Sequence, residues 1–269
     1  MLTLGAPDSP GVPAELAAQT LVAGYNNLES VERLFEQQGS EISSVFVEPV
    51  AGNMGTVLPV PGFLEGLRRL CDEHGALLVY DEVMTGFRVA RGGYMEVCGV
   101  MPDLVTLGKV IGGGLPIGAY GGRADVMSHV APAGKMYQAG TLSGNPLAVA
   151  AGEAMLTELG KDSVYEQLEA SGAQLEAGML AMASKHGVPM VVGRQGSMIC
   201  PYLTDKTVTS FEDVMASDRE RWVRFFHGML ERGVLLPPSP FEAWFLSTAH
   251  DAAVIDEVIA AADGALGAL

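Results

Sequence analysis

Short apolar runs alternate with segments of helical periodicity through the first half of the chain. Residues 76–83, Ala-Leu-Leu-Val-Tyr-Asp-Glu-Val, begin as an apolar run and end in two carboxylates, which is typical of a strand buried on both faces of a parallel sheet. Ser44–Glu48 has the same character, and a helix is predicted between the two strands from Pro61. Its apolar face is formed by Leu64, Leu67, Leu70 and Cys71. Strand, helix, strand is the order expected of an α/β fold.

Two further helices are predicted from their capping residues. Asn27 precedes an apolar set at helical spacing, and Gly39 follows it. Asn145 can cap the second helix, and Pro146 suits its first turn. The closely packing positions predicted for these two helices are Leu28, Val31, Leu34 and Phe35 in the first and Ala148, Val149, Ala151 and Met155 in the second.

The composition changes after Gly160. A long helix is predicted over 163–186, followed by strands at 191–192 and 198–203 and by helices at 219–230 and 251–266. The apolar stripe of the long helix is Val164, Leu168, Leu175, Met179 and Met182, which we interpret as core. We therefore predict a large sheet domain over residues 21–160 and a smaller C-terminal α/β domain over residues 161–269.

Composition and charge exclude several classes of function. Lys and Arg number 16 against 32 Asp and Glu, and the net charge of -16 disfavours nucleic acid and anionic membranes. No apolar run approaches the roughly 20 residues of a membrane span, so a soluble protein is expected. Cys71, Cys98 and Cys200 are too far apart to suggest a disulfide framework or a zinc site, and a reducing compartment is expected. The five histidines are scattered, and no metal site is predicted.

Lys109 lies between an apolar run and a glycine cluster. Screening from water by Leu107, Val110 and Ile111 would favour the neutral, nucleophilic amine. Residues 112–114 are all glycine, which we expect to prevent a helix and to let the backbone turn sharply and approach a ligand. The spacing matches neither the phosphate loop nor the dinucleotide fingerprint. The alternative is a surface lysine beside a structural turn.

Asp81 ends the predicted buried strand, and ligands of open α/β sheets bind at the carboxyl ends of such strands. A lysine that forms a Schiff base and an acid facing a pyridinium nitrogen are the pair that pyridoxal 5'-phosphate (PLP) chemistry requires. Val83 points to the same side as Asp81 and would pack against the ring. Glu82 points the other way and is interpreted as structural.

Several motifs carry a resemblance to a known family. They are Asp81-Glu-Val-Met-Thr-Gly-Phe-Arg88, the glycine-rich stretch from Thr106 to Gly122, Met136-Tyr-Gln-Ala-Gly-Thr-Leu-Ser-Gly-Asn-Pro146, Glu48-Pro-Val-Ala-Gly-Asn53 and Ser239-Pro-Phe-Glu-Ala243. In these stretches the chain resembles the glutamate-1-semialdehyde 2,1-aminomutases, in the class III aminotransferase-like branch of the fold-type I PLP enzymes. The resemblance implies a mostly parallel large-domain sheet and a smaller C-terminal domain.

The resemblance also implies an activity and a set of site residues. The reaction would convert glutamate 1-semialdehyde to 5-aminolevulinate for tetrapyrrole synthesis, with PLP or pyridoxamine 5'-phosphate (PMP) as cofactor. Lys109 would hold the cofactor and move protons, and Asn53 would lie beside the ring. Gly140 and Thr141 would contact the cofactor phosphate of the other subunit of a homodimer with a shared active site. Glu242 would lie near the substrate.

Other expectations follow from where the resemblance begins. Residues 1–20 would be the end of the loop that gates the active site. The segment that binds the cofactor phosphate, the aromatic residue on the ring and the arginine for the substrate carboxylate would lie ahead of residue 1. The compartment would be a bacterial cytosol or a plastid stroma. Another class III aminotransferase, or an inactive fragment, stays open as an alternative.

Two interpretations are open for each of Glu48, Arg88 and Arg91. Glu48 either serves the site or makes a structural hydrogen bond to backbone, and we give the two equal weight. Arg88 and Arg91 could bind a carboxylate, although an arginine after a strand more often forms a salt bridge or lies in solvent.

Overall fold

The computed structural model describes residues 11–269, and two β-sheets organise them. The first sheet has the order β1-β2-β3-β4, with β1 to β3 parallel and β4 antiparallel to β3. Its strands are β1 (Ser44–Val47), β2 (Leu77–Glu82), β3 (Leu104–Leu107) and β4 (Ala119–Gly122). The second sheet is antiparallel with the order β5-β6-β7. Its strands are β5 (Val191–Gln195), β6 (Met198–Tyr202) and β7 (Trp244–Phe245).

The helices surround these sheets. They are α1 (Ala14–Ala17), α2 (Leu28–Gln38), α3 (Phe63–His74), α4 (Tyr94–Cys98), α5 (Ala124–Met127), α6 (Pro146–Leu159), α7 (Asp162–Lys185), α8 (Phe211–Met215), α9 (Arg219–Glu231) and α10 (Ala252–Leu266). The predicted caps are confirmed, because the side chain of Asn27 accepts from the Ser30 N–H and that of Asn145 from the N–H groups of Leu147 and Ala148. The predicted α/β class, a mostly parallel sheet followed by a smaller sheet, is confirmed as well.

The structure does not test the predicted limits of the two domains and of the gating loop. The boundary between residues 160 and 161 stays a prediction. The first half of the predicted gating-loop segment, residues 1–10, lies outside the described residues. None of the helices within residues 11–269 combines the length and the apolar character that crossing a bilayer requires.

Helix α3 packs against the parallel sheet and forms the first core. Leu64, Leu67, Leu70 and Cys71 are all buried on it, as their spacing predicts. Leu78 and Tyr80 of β2 belong to the same core, while Val79 is buried on the opposite face of the strand. The expectation that β2 is buried on both faces is therefore confirmed.

The second core lies between α7, α9, α10 and the antiparallel sheet. Leu175 and Met179 of the predicted stripe are buried there together with Phe225, Met229 and Ile255. Their interpretation as core is confirmed. One packing prediction is wrong in part, because Val149 of α6 is 46% exposed although Ala148 beside it is buried.

Asp103 joins β2, β3 and the segment after β4 at the edge of the sheet where β2 and β3 begin. Its carboxylate accepts hydrogen bonds from the Leu78 N–H at 2.7 Å, from Arg68 at 2.8 Å and from Arg123 at 2.7 Å. Burial alone would raise the pKa of this carboxyl, but the bonds from Arg123, Leu78 and Arg68 outweigh it and hold the pKa below its ordinary value of 3.8.

We expect Asp103→Asn to lower the free energy of unfolding by about 2 kcal/mol, because the amide leaves two guanidinium groups and a strand N–H without their anion. Urea denaturation measures the loss. Asp125→Asn is the matched control, since Asp125 binds the same Arg123 but is exposed, and its loss of stability should be much smaller than that of Asp103→Asn. Equal losses in the two variants would contradict the role assigned to Asp103.

The difference in stability between wild type and Asp103→Asn should depend on pH. A depressed folded-state pKa contributes stability above the unfolded value, and that stability is lost as the pH falls through the folded value. The difference between wild type and Asp103→Asn should thus be constant from neutral pH to about pH 4 and shrink below it. A difference that grew on acidification would be incompatible with a depressed pKa.

Candidate active site

The carboxyl ends of the parallel strands bring the candidate residues to one edge of the sheet. Asp81 is paired with Thr106 across β2 and β3, and Lys109 follows two residues after β3 ends. The Asp81 carboxylate is part-buried, and its Oδ1 atom accepts from the Val83 N–H at 3.1 Å and from the Thr106 hydroxyl at 3.4 Å. The other oxygen, Oδ2, makes no hydrogen bond within residues 11–269, so it can serve a ligand.

Lys109 stands in an unusual backbone conformation. Its φ is +45°, in the left-handed region that a residue with a side chain rarely adopts. It begins a 3₁₀ turn over Lys109–Gly112, which Gly113 ends with a φ of +56°. The expectation that residues 112–114 exclude a helix is thus wrong for Gly112. Strain of this kind persists where the surrounding structure enforces it, and it concentrates at functional sites.

Close packing of α6 enforces the turn. A Cβ atom on Gly113 would lie 2.8 Å from the Ala151 carbonyl oxygen, and one on Gly152 would lie 2.5 Å from the Ile111 carbonyl oxygen. The glycines therefore bring α6 against the lysine turn. The close approach of residues 112–114 to a ligand stays a prediction.

The environment of Lys109 differs from the expectation. We expected its apolar neighbours to screen it from water, but its side chain is exposed. The reason is the left-handed backbone, which sends the lysine outward while Ile111 enters the core with 6% exposure.

A cavity of about 520 Å³ opens at this edge of the sheet. Three of the predicted site residues, Lys109, Asn53 and Glu242, line it together. The remaining lining residues are Gly52, Met84, Arg88, Ser239, Phe241, Ala243 and Phe245. Asp81 and Val83 are not among them, and Gly140 and Thr141 lie in an exposed turn away from it. One chain therefore assembles part of the predicted site.

Glu48 supports one wall of the cavity. Its Oε1 atom accepts from the Gly52 N–H at 3.2 Å and from the Asn53 side-chain amide at 3.0 Å. Of the two interpretations given equal weight, the structural hydrogen bond to backbone is therefore the one observed. Burial raises the pKa of Glu48, and the charge of Asp81 adds to the increase, while the bonds from Gly52 and Asn53 and the charge of Lys109 oppose it. The charges of both Asp81 and Lys109 thus affect the pKa of Glu48.

Glu82 is structural, as predicted from its opposite orientation. It is fully buried and accepts from the Thr85 hydroxyl at 2.9 Å and from the N–H groups of Tyr94 and Met95 at 2.7 and 3.3 Å. These bonds fasten the start of α4 to the end of β2. They also fix the segment that leads from Asp81 to Arg88.

Arg88 is the cavity residue that sequence reasoning undervalued. We expected a salt bridge or solvent, and the structure shows neither: the side chain is part-buried, and burial alone lowers its pKa. Its Nε atom has no hydrogen-bond partner within residues 11–269. The available signal was its place seven residues after Asp81, in the loop that leaves the site edge. Arg91, by contrast, is exposed.

Comparison with known proteins places this geometry in a family. The family model described as Aminotransferase class-III matches residues 4–261. A curated relative from Roseiflexus castenholzii, named glutamate-1-semialdehyde 2,1-aminomutase, is 56% identical over 98% of this chain and 61% of its own length. The chain therefore spans about three fifths of the length of such a relative.

Two solved structures have the same fold. An omega-transaminase from Sphaerobacter thermophilus is 31% identical with a TM-score of 0.91, and the match covers 97% of this chain and 60% of that one. A glutamate-1-semialdehyde aminomutase from Pseudomonas aeruginosa PAO1 in complex with PMP is 27% identical with a TM-score of 0.83, over 96% of this chain and 59% of that one.

We expect Glu48→Gln to leave the free energy of unfolding at pH 7 unchanged or to increase it by about 1 kcal/mol. The amide oxygen can still accept from Gly52 and Asn53, and the cost of burying a charge disappears. A raised folded-state pKa means that stability is present below the ordinary value of 4.5 and lost as the pH rises through the folded value, so the gain should vanish below pH 4.5.

Urea denaturation at pH 7 and pH 4 measures this difference. Glu41→Gln, at an exposed position before β1, is the control and should have no effect at either pH. A loss above about 1 kcal/mol in Glu48→Gln at pH 7 would show that the ionised carboxylate stabilises the fold, against the argument from burial.

Proposed function

The chain belongs to the class III aminotransferases, and from this premise we propose that it carries the lysine-bearing part of a PLP-dependent aminomutase that converts glutamate 1-semialdehyde to 5-aminolevulinate. The single observation that carries the proposal is the lysine on a strained turn, exposed to a cavity at the strand ends, with a carboxylate at the end of the neighbouring strand. The name of the 56% identical relative supports the choice of reaction.

The residues present fit PLP. The cofactor, when bound, supplies a ring that accepts electrons from a breaking C–H bond. Lys109 would hold it covalently, Asp81 would present its free oxygen to the ring nitrogen, and Asn53 would contact the ring. Val83 stays the predicted packing partner of the ring. The amine, carboxylate and amide types are those that the group requires.

Lys109 would have a second task as a proton carrier. Lys109 lines the cavity, so after release from the cofactor its amine can take a proton at Nζ from a bound substrate and return it to another atom. A positioned general acid or base of this kind contributes about a hundred- to ten-thousand-fold in rate. Glu242, at the opposite lining segment, would contact the substrate.

A second subunit would complete the site. Gly140 and Thr141 do not reach the cavity of their own chain but lie in an exposed turn, in a segment whose apolar side chains face solvent. These are Met136, Tyr137, Leu142, Leu147 and Val149, with exposed fractions of 49%, 83%, 60%, 73% and 46%. Exposed apolar surface of this extent favours a protein interface. We propose a homodimer in which this turn contacts the cofactor phosphate in the partner's site.

The rival function is that of another class III aminotransferase, which the similarity to an omega-transaminase supports. Stable release of a keto product with a separate amino acceptor would distinguish it. The phosphate-binding segment and the carboxylate-binding arginine are expected in the part of the relatives that this chain does not span. Binding of PLP is therefore proposed for this chain, and turnover only where that part is also supplied. A bacterial cytosol or a plastid stroma stays the predicted compartment.

We expect the chain incubated with PLP to develop the visible absorption band of a lysine–cofactor bond, and Lys109→Ala to lack it. The reason is that Lys109 is the amine that lines the cavity. Absorption spectroscopy after removal of free PLP measures the band. Lys135→Ala is the matched control, because Lys135 is exposed and does not line the cavity.

The outcomes separate the functions. A band that persists in Lys109→Ala would overturn the assignment of the lysine, and the absence of a band in wild type would remove the support for PLP binding. With the band established, incubation with glutamate 1-semialdehyde distinguishes an active aminomutase from a cofactor-binding fragment.

We expect the chain to sediment as a dimer and Leu147→Glu to raise the dimer dissociation constant by about tenfold to a hundredfold, because a charge replaces an apolar contact. Sedimentation velocity over a concentration series measures the constant. Val223→Glu, on the exposed face of α9, should leave it unchanged. A monomeric wild type, or equal effects of the two variants, would argue against this surface.

A further inference from the structure

The guanidinium of Arg88 lies at the edge of the candidate active-site cavity and has no anionic partner within residues 11–269. Its guanidinium lies over the ring of Phe245, with 4.3 Å from Cζ to the ring centroid, and both residues line the cavity. No carboxylate forms a salt bridge with it within residues 11–269, whereas the other part-buried arginines there have two each, at 68 and 194, or one, at 221. A part-buried charge without a partner is costly, so its place calls for a function.

The backbone immediately before Arg88 is strained. Phe87 has a φ of +57°, which is an outlier for a bulky residue. The Tyr165 hydroxyl of α7 donates to the Phe87 carbonyl at 2.9 Å and holds the turn. Gly86 permits it, because a Cβ atom there would lie 2.7 Å from the Glu82 carbonyl oxygen. Strain that is held by a specific bond and directs one side chain toward a cavity is typical of a ligand contact.

The charges around the cavity indicate which ligand Arg88 would take. Lys109 and Arg88 are the cationic lining residues, and Glu242 is the anionic one. Stacking on Phe245 covers one face of the guanidinium but leaves the N–H groups at its rim free, and this planar fork matches a carboxylate. The complementary ligand carries both a carboxylate and an amine.

We propose that Arg88 binds the carboxylate of the amino-acid ligand in this cavity. The proposal rests on the proposed function and deepens it: Arg88 is a carboxylate contact supplied by this chain. Phe245 acts as a positioning residue that keeps the guanidinium flat against the cavity wall.

The test compares two ligands that differ only in charge. Calorimetric titration with 5-aminolevulinate and with its methyl ester is done on the chain with and without PLP. In wild type the acid should bind about tenfold to a hundredfold more tightly than the ester, as expected for charge-assisted hydrogen bonds. In Arg88→Met this ratio should fall to about two or less, with ester binding unchanged.

Two further variants make the result specific. Arg88→Lys keeps the charge but loses the fork, so the ratio should be intermediate. Arg91→Met removes an exposed arginine three residues away and should keep the wild-type ratio. Thermal unfolding of each variant verifies the fold, and if Arg88→Met is not folded, the ratio in Arg88→Lys decides.

Several outcomes would overturn the proposal. Equal weakening of acid and ester in Arg88→Met would assign Arg88 a structural role. An acid-to-ester ratio that is the same in wild type and the Arg88 variants would mean that its anion is a protein carboxylate or that none is bound. A missing lysine–cofactor band, by contrast, would count against PLP binding alone, since the ratio is also measured without PLP.

Discussion

The site depends on a constraint of parallel sheets, which is that neighbouring strands end at the same edge. Glu48 follows β1, Asp81 is the penultimate residue of β2 and Lys109 follows β3. Residues that are 61 positions apart in the chain therefore lie close enough for the charge of Lys109 to affect the pKa of Glu48. The opposite edge is fastened by Asp103, which ties β2, β3 and the segment after β4 through Leu78, Arg68 and Arg123. One edge of the sheet thus carries the stabilising contacts of Asp103, and the opposite edge carries the candidate site residues.

Much of the fold could be predicted from local patterns. The strand of Asp81, the face of α3 and the stripe of α7 follow from periodicity, because each buries one continuous apolar surface. The pairing of a lysine with an acid at adjacent strand ends could be predicted too. The short strand β7 could not, since it is held by a tertiary contact, the pairing of Trp244 with Ile199 of β6. Helix α8 was not predicted either, although its capping box of Ser210 and Asp213 is a local signal.

The exposure of Lys109 and the isolation of Arg88 were beyond the reach of sequence for a related reason. Apolar neighbours indicate burial only if the backbone is regular, and Lys109 adopts a left-handed conformation that reverses the direction of its side chain. A loop arginine most often forms a salt bridge, but its anionic partner is supplied by another part of the fold. The absence of a partner for Arg88 within residues 11–269 could therefore not be read from the residues near it in the sequence. Both deviations lie at the cavity, where local rules are expected to fail.

The bond between Tyr165 and Phe87 links two parts of the molecule mechanically. Tyr165 lies on the helix that follows the predicted boundary at residue 160, whereas Phe87 lies in the loop after β2. Because the hydroxyl donates to a backbone carbonyl, the position of α7 helps to set the backbone immediately before Arg88. A side chain of one part of the chain therefore contributes to the direction of a cavity residue carried by the other.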